Sequence, residues 1–377
     1  MSVPVPRGGK SPSLATNPFA HPLCGADLLT LARLVGRYGW PSRKRLPHLA
    51  AAVVSAVGRL PFTLTEGVYS AWLRPEAAMP APVFVIGHWR SGTTHFYNLL
   101  ACGRQVSYVT PLGTGLPWEL LTLVPLARRW LEGTIPEDRL VDRIPVTPTA
   151  PQEDEMALSS MATLSFLHGL YFPRHLHRAF LQGMFLEGTA NDQRIWERRC
   201  RRFLGKVWRS GGGGRLVVKN PGHTVRIATL KALWPEAQFI HVVRDPHALL
   251  PSMRNMITTL LPALAWQDPR VSGSEIDGLI FETYDRMMAA LVADSRTLEP
   301  HQFAEVRYEA LVADPINCLR DLYRHFQWPG WEEDCGRVEV YLASIRGYEK
   351  NHFPADPAVG RDVVQHWGHW LDHWGYR

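Results

Sequence analysis

The chain has little cysteine. Five thiols occur in 377 residues, at Cys24, Cys102, Cys200, Cys318 and Cys335, and none forms a Cys-x-x-Cys pair. This odd, scattered set argues against a disulfide framework and against thiolate zinc ligands at the usual spacing. Reduced thiols in the cytoplasm are the simplest account. The segment 1–10 lacks the apolar stretch of a secretory signal. No uninterrupted run of about 18 apolar residues occurs, so we expect no transmembrane helix. Charge of neither sign dominates: 41 Lys and Arg against 35 Asp and Glu leave a net charge of +6. That excess suits an anionic ligand or an anionic membrane surface. The basic residues are too dispersed for a nucleic-acid surface. Their one cluster, Arg198-Arg199-Cys200-Arg201-Arg202, reads as the solvated face of a helix.

A further absence is a single lysine. Val83-Phe84-Val85-Ile86 runs into Gly87-His88-Trp89-Arg90-Ser91-Gly92-Thr93-Thr94, and a helix-compatible run follows to Leu100. A strand, a short glycine-bounded loop and a helix make a phosphate-binding loop, in which backbone N–H groups and a helix N-terminus cradle an anion. A nucleoside-triphosphate loop carries Lys after its second glycine, where it reaches the β- and γ-phosphates. Here that position is Thr93, and the loop's only cation is Arg90. The loop suits a nucleotide with a shorter 5′ anionic group.

The rest of the chain alternates strands and helices. Residues 1–25 are rich in Pro, Gly and Ser and read as poorly ordered. Residues 26–82 read as a helical extension, with two amphipathic helices within 26–75. The main domain spans 83–377. Its further strands are Arg215–Lys219, Gln238–Val243 and Phe303–Arg307. Helices are expected over 153–170, 193–209, 224–233 and 275–298, with a Pro-punctuated region of irregular structure or short helices over 111–151. This pattern is an α/β fold: a central parallel sheet flanked by helices, like that of P-loop nucleotide-binding proteins. The His- and Trp-rich tail, from His366 to Trp374, fits one amphipathic helix packing its indoles on the body better than a metal-binding tract.

A second anion signal follows Gln238–Val243. Arg244 stands at the carboxyl end of that strand, where open α/β sheets place ligand groups. Ser252 lies eight residues on, a little over two helical turns, so both can face one spot. An Arg fork with a hydroxyl suits a terminal phosphate.

The two motifs together resemble the sulfotransferases that use 3′-phosphoadenosine-5′-phosphosulfate, in their bacterial-type branch. Pro151-Gln152-Glu153-Asp154-Glu155, Leu216–His223 and Arg307-Tyr308-Glu309-Ala310-Leu311 occur in matching order, and the likeness runs from about Val83 to about Tyr348. The resemblance implies that Arg90, Ser91, Gly92, Thr93 and Thr94 hold the 5′-phosphosulfate. It implies that Arg244 and Ser252 hold the 3′-phosphate and that Tyr308 lies near the nucleotide. His95 is a packing residue that the resemblance also brings near the adenine, and His88 flanks the same loop.

Sulfuryl transfer needs donors on the leaving phosphate, a cation near the bridging oxygen and a base for the acceptor. Lys219, at the exit of a buried strand, is the candidate cation. Glu155, Glu153 and His223 are candidate bases. Carboxylates also occur in a first helical turn for the sake of the helix dipole alone, and His223 lies four residues after Lys219 rather than the family's two. No metal is implied. The expected activity is sulfuryl transfer to an acceptor hydroxyl. The Leu- and Pro-rich stretch 111–131 and the apolar run from Met256 to Trp266 tilt the acceptor toward a lipid or another apolar alcohol and allow peripheral membrane contact. A P-loop kinase-like phosphotransferase and a non-catalytic nucleotide-binding protein of the same fold are the alternatives.

Overall fold

The computed structural model describes residues 17–133, 147–346 and 356–377. Five strands form one parallel sheet: β1 (Val83–Ile86), β2 (Val106–Ser107), β3 (Arg215–Lys219), β4 (Gln238–Val243) and β5 (Phe303–Arg307), in the order β2-β3-β1-β4-β5. Register pairs Val85 with Lys219 on one side of β1 and with Ile240 on the other. The helices used below are α1 (Leu28–Tyr38), α2 (Leu46–Leu73), α3 (Thr93–Leu100), α4 (Ala190–Ser210), α5 (Pro246–Leu264), α6 (Gly273–Ser295) and α7 (Pro357–His373).

The strands read as continuous apolar runs because both faces of the sheet are covered. Side chains alternate between the faces. Val83 and Val85 point into one core with Val217, Ile240 and Val242. Phe84 and Ile86 point into the other with Leu216, Val218 and Phe239. Parallel strands end at a common edge, so Gly87, Lys219, Arg244 and Tyr308 all emerge there.

Four expectations change. The stretch 153–170 is two short helices, Glu155–Ser159 and Leu167–Tyr171. Between them side chains take over backbone bonding: Ser159 Oγ donates to the Met156 carbonyl, and Ser165 Oγ accepts from Leu167 N–H. Such local bonds compete with the helix. Residues 17–25 form two short turns with Leu23 fully buried, whereas 1–16 lie outside the described residues. The two-residue β2 was too short to show in the sequence. The segment Arg43–Ala78, containing α2, is long and apolar enough to cross a membrane by length and composition. It is not an uninterrupted apolar run, since His48, Ser55, Arg59, Thr63, Thr65 and Glu66 break it, and Arg59 and Glu66 are buried.

The tail is helical but not one straight helix: α7 is kinked at Trp367 (φ −125°, ψ 16°), and Trp367, Trp370 and the capping Trp374 are buried. Trp367 packs on Tyr284 of α6 at 4.3 Å between ring centroids, and Tyr284 packs on His88 at 5.0 Å. The carboxyl-terminal helix therefore backs the loop after β1. Trp367→Ala should destabilise the fold by about 4 kcal/mol, read as a shift of the urea midpoint at unchanged slope.

Candidate active site

The loop after β1 is held open by backbone geometry. Gly87 (φ 137°) and Gly92 (φ 95°) occupy conformations that a side chain resists. A Cβ at Gly87 would stand 2.6 Å from the Val242 carbonyl oxygen, and one at Gly92 would stand 2.1 Å from the Tyr308 ring. Arg90 itself has φ 69°, a strained setting for an arginine. Gly87 N–H donates to Thr224 Oγ1 at 2.8 Å. Gly92 then caps α3, whose first turn presents Thr93, Thr94 and His95. Thr93 is buried and His95 half-buried. Ser91 Oγ is buried with no protein hydrogen-bond partner. A buried hydroxyl without a protein partner at the start of a helix fits a donor to a bound anion.

The two anion signals meet. Arg90 Nε donates to Ser252 Oγ at 2.8 Å, and Arg244 Nη1 donates to the Arg90 carbonyl at 2.9 Å. The Arg244 guanidinium lies over the Tyr308 ring, 4.4 Å from its centroid. Three segments from distant parts of the chain, the loop after β1, the β4–α5 junction and the end of β5, thus close on one corner. His88 stands behind it. Burial pulls its imidazole down to about 4, against a smaller upward pull from its bond to the Trp89 carbonyl. It is a neutral packing group.

The third part lies at the exit of β3. Lys219 Nζ donates to Thr94 Oγ1 at 3.1 Å and pairs with the Glu153 carboxylate. The next two carboxylates turn inward. Asp154 accepts from Asn220 Nδ2 at 2.8 Å and meets His223 Nε2 at 2.9 Å. Glu155 accepts from Arg226 Nη1 at 2.8 Å, from Asn220 Nδ2 at 2.9 Å and from Phe166 N–H at 3.3 Å. Asp154, Glu155 and His223 are fully buried, whereas the Glu153 side chain keeps 22% exposure. Burial alone would raise the Glu155 carboxyl, but the Arg226 charge and hydrogen bonds from Arg226, Asn220 and Ser165 outweigh it, so the group lies below its ordinary 4.5. Lys219, Thr94 and Glu153 therefore share one point at the sheet edge. Glu155 and His223 sit behind it, enclosed by Arg226 and Asp154. Among the described residues no group of three or more His, Cys, Asp and Glu is arranged to hold a metal ion.

A family model described as the sulfotransferase family matches residues 82–333. The chain belongs to the sulfotransferase family. It is 30% identical over 296 residues, 78% of this chain and 75% of the relative, to the omega-hydroxy-beta-dihydromenaquinone-9 sulfotransferase Stf3 of Mycobacterium bovis, and equally to that of Mycobacterium tuberculosis. Its fold is similar to the sulfotransferase STF9 from Mycobacterium avium (TM-score 0.66, 16% identity, 93% of this chain and 96% of that one). It is also similar to STF1 from Mycobacterium tuberculosis (TM-score 0.59, 18% identity, 90% of each).

For a sulfotransferase, the sequence left four supporting residues unnoticed: Asp154, Asn220, Thr224 and Arg226. Asn220 alone carried a usable signal, because an Asn before Pro at a strand exit caps the next turn, here by accepting from Gly222 N–H at 2.8 Å. Breaking the buried Glu155–Arg226 pair leaves an uncompensated guanidinium. Glu155→Gln should cost about 3 kcal/mol or more, read by denaturant unfolding. Because the folded carboxyl is depressed, its contribution is present above the unfolded value of 4.5 and fades as pH falls through the folded one. The gap between parent and variant should therefore be full at neutral pH and shrink in acid.

Proposed function

We propose that this protein transfers a sulfuryl group from 3′-phosphoadenosine-5′-phosphosulfate to the hydroxyl of an apolar alcohol. The observation that carries this is the junction of Lys219, Thr94 and Glu153 beside a loop with Thr93 in place of the triphosphate lysine. The donor brings an activated sulfuryl group on a phosphate leaving group, and the protein's part is positioning and charge.

The loop N–H groups, Ser91 and Thr93 bind the 5′ anion, with Thr94 beside them. Arg244, Ser252 and Arg90 take the 3′-phosphate, and Tyr308 fixes the face of the loop against Gly92. Lys219 is buried with its ammonium at the loop's helix, so it neutralises charge that builds on the bridging oxygen. Glu153 accepts the acceptor's proton as the new S–O bond forms. It is the only one of the three candidate bases that reaches the open side. Its ion pair with Lys219 holds its carboxylate at the exit of β3. Glu155 and His223 act as positioning residues behind it.

The apolar acceptor is supported by the relative named for omega-hydroxy-beta-dihydromenaquinone-9. It is supported also by the Leu- and Pro-rich segment that leads away from β2. Its residues Leu112 and Leu120 lie in the same core as Leu261 and Leu264 of the apolar run from Met256 to Trp266.

Calorimetric titration with 3′,5′-bisphosphoadenosine tests the donor site. Arg244→Ala and Thr93→Ala should each weaken binding roughly tenfold or more, the worth of a lost charge-assisted or ligand hydrogen bond. Unchanged binding in both, or magnesium-dependent ATP turnover by the parent, overturns the assignment. Glu153→Gln should lower kcat by about 10²–10⁴ and leave nucleotide affinity within about threefold. A Glu153→Gln enzyme of parental kcat removes Glu153 as the base.

A further inference from the structure

Helix α2 is turned inside out. Its 28 residues, Leu46–Leu73, contain only two residues charged at neutral pH, Arg59 and Glu66, and both, with His48, face the body of the protein. Arg59 Nη1 donates to Glu119 at 2.6 Å, and Nη2 donates to the carbonyls of Cys24 and Ala26. Glu66 accepts from Lys206 of α4 at 2.8 Å and from Leu121 N–H at 2.9 Å. The opposite face points to solvent, and it is apolar. Val54, Val57, Leu60, Leu64, Val68 and Trp72 recur at three- and four-residue steps, with Leu64 63% and Trp72 78% exposed. No charged side chain interrupts this stripe over a helix about 42 Å long. Beside it lies the helix Leu123–Glu132, whose start is tied to α2 by the bond from Thr122 Oγ1 to Glu66. It adds exposed Leu126 and Trp130.

The exposed charges at the two ends of α2 are basic, and the acid Glu132 on the neighbouring helix is paired with Arg128. From Leu28 to Arg74 the chain carries six arginines and one lysine against a single acid, the buried Glu66. Exposed Arg43 and Lys44 stand at the amino end of α2, exposed Arg74 at its carboxyl end, and Arg129 beside Trp130. An uncharged apolar stripe bracketed by cations and framed by Trp suits the boundary between headgroups and acyl chains of an anionic bilayer. The buried pairs at mid-helix hold the inner face against α4 and residue 119, so the helix lies along the bilayer rather than through it. Continuous burial in lipid on both sides would strand Arg59 and Glu66.

We propose that the outer face of α2, with Leu126 and Trp130, docks the enzyme on an anionic lipid surface as an interfacial helix. Docking there places the connection from β2, whose Val109 carbonyl accepts from Gln152 N–H next to Glu153, against the bilayer that dissolves an apolar alcohol. That link to catalysis rests on the acceptor proposed above, whereas docking itself is measured with no acceptor present.

The test is flotation of the purified full chain with vesicles of phosphatidylcholine alone and of phosphatidylcholine with about one third phosphatidylglycerol. The parent should float with the anionic vesicles and much less with the neutral ones. The triple variant Val57→Asp, Leu64→Asp, Trp72→Glu should bind at least about tenfold less. Its thermal midpoint and its affinity for 3′,5′-bisphosphoadenosine should stay parental, since all three side chains are exposed. The pair Arg43→Glu, Lys44→Glu, which leaves the stripe intact, should bind roughly tenfold less or weaker, with the loss confined to anionic vesicles. A parent that floats with neither vesicle overturns the proposal, as do variants that float like the parent. So does a parent that elutes as a dimer, ignores vesicles and becomes monomeric in the triple variant, since a second copy would then cover the face. If docking holds but no apolar alcohol is sulfurylated, only the acceptor assignment fails.

Discussion

The geometry of the site depends on how three consecutive carboxylates are shared out. Glu153, Asp154 and Glu155 meet the exit of β3, where Lys219, Asn220, His223 and Arg226 wait within one short turn. Two of the three acids are wholly enclosed, and one is not. A buried ion pair such as Glu155–Arg226 adds little net stability, because desolvation of both charges offsets their attraction. Its effect is positional. Arg226 is also bonded to the carbonyls of Gly183 and Met184, so Glu155 is anchored to a frame that does not follow the loop. With Asp154 and Glu155 turned inward, the partly exposed Glu153 side chain pairs with Lys219.

The same logic runs through the loop after β1. Gly92 leaves room for the Tyr308 ring, and Tyr308 supports Arg244, which bonds back to the Arg90 carbonyl. Each group is oriented by one from another strand end, so the corner is held rigid by the protein's own contacts. A parallel sheet makes this possible, since its strands deliver four loops to one edge. The thread from Trp367 through Tyr284 to His88 carries the support to the carboxyl-terminal helix.

What could be read in the sequence follows from these constraints. Gly87, Gly92, Lys219 and Arg244 were legible because strand ends next to glycine or a cation have few other uses. The sheet was legible because runs such as Leu216-Val217-Val218 are apolar on both faces. Which of Glu153, Glu155 and His223 keeps an exposed side chain at the sheet edge was not legible. It turns on partners such as Arg226 and Asn220, more than sixty residues away along the chain. The break in the helix over 153–170 was hidden for a similar reason. Its serines and threonines are mild helix residues until their hydroxyls find backbone groups, and those bonds appear only in the folded chain.

Helix α2 shows the limit of periodicity most clearly. A stripe of Val and Leu at helical spacing identifies a helix, and the usual assumption turns that stripe inward. Here Arg59 and Glu66 reverse it, because Glu119 and Lys206 offer them fully bonded partners inside. An apolar inner face would have served stability as well. An inverted helix therefore does more than close a core: it sets the orientation of the outer surface. Since Glu66 also takes the N–H of Leu121 and the hydroxyl of Thr122, that surface is joined by direct bonds to the segment leading back to β2 and Glu153.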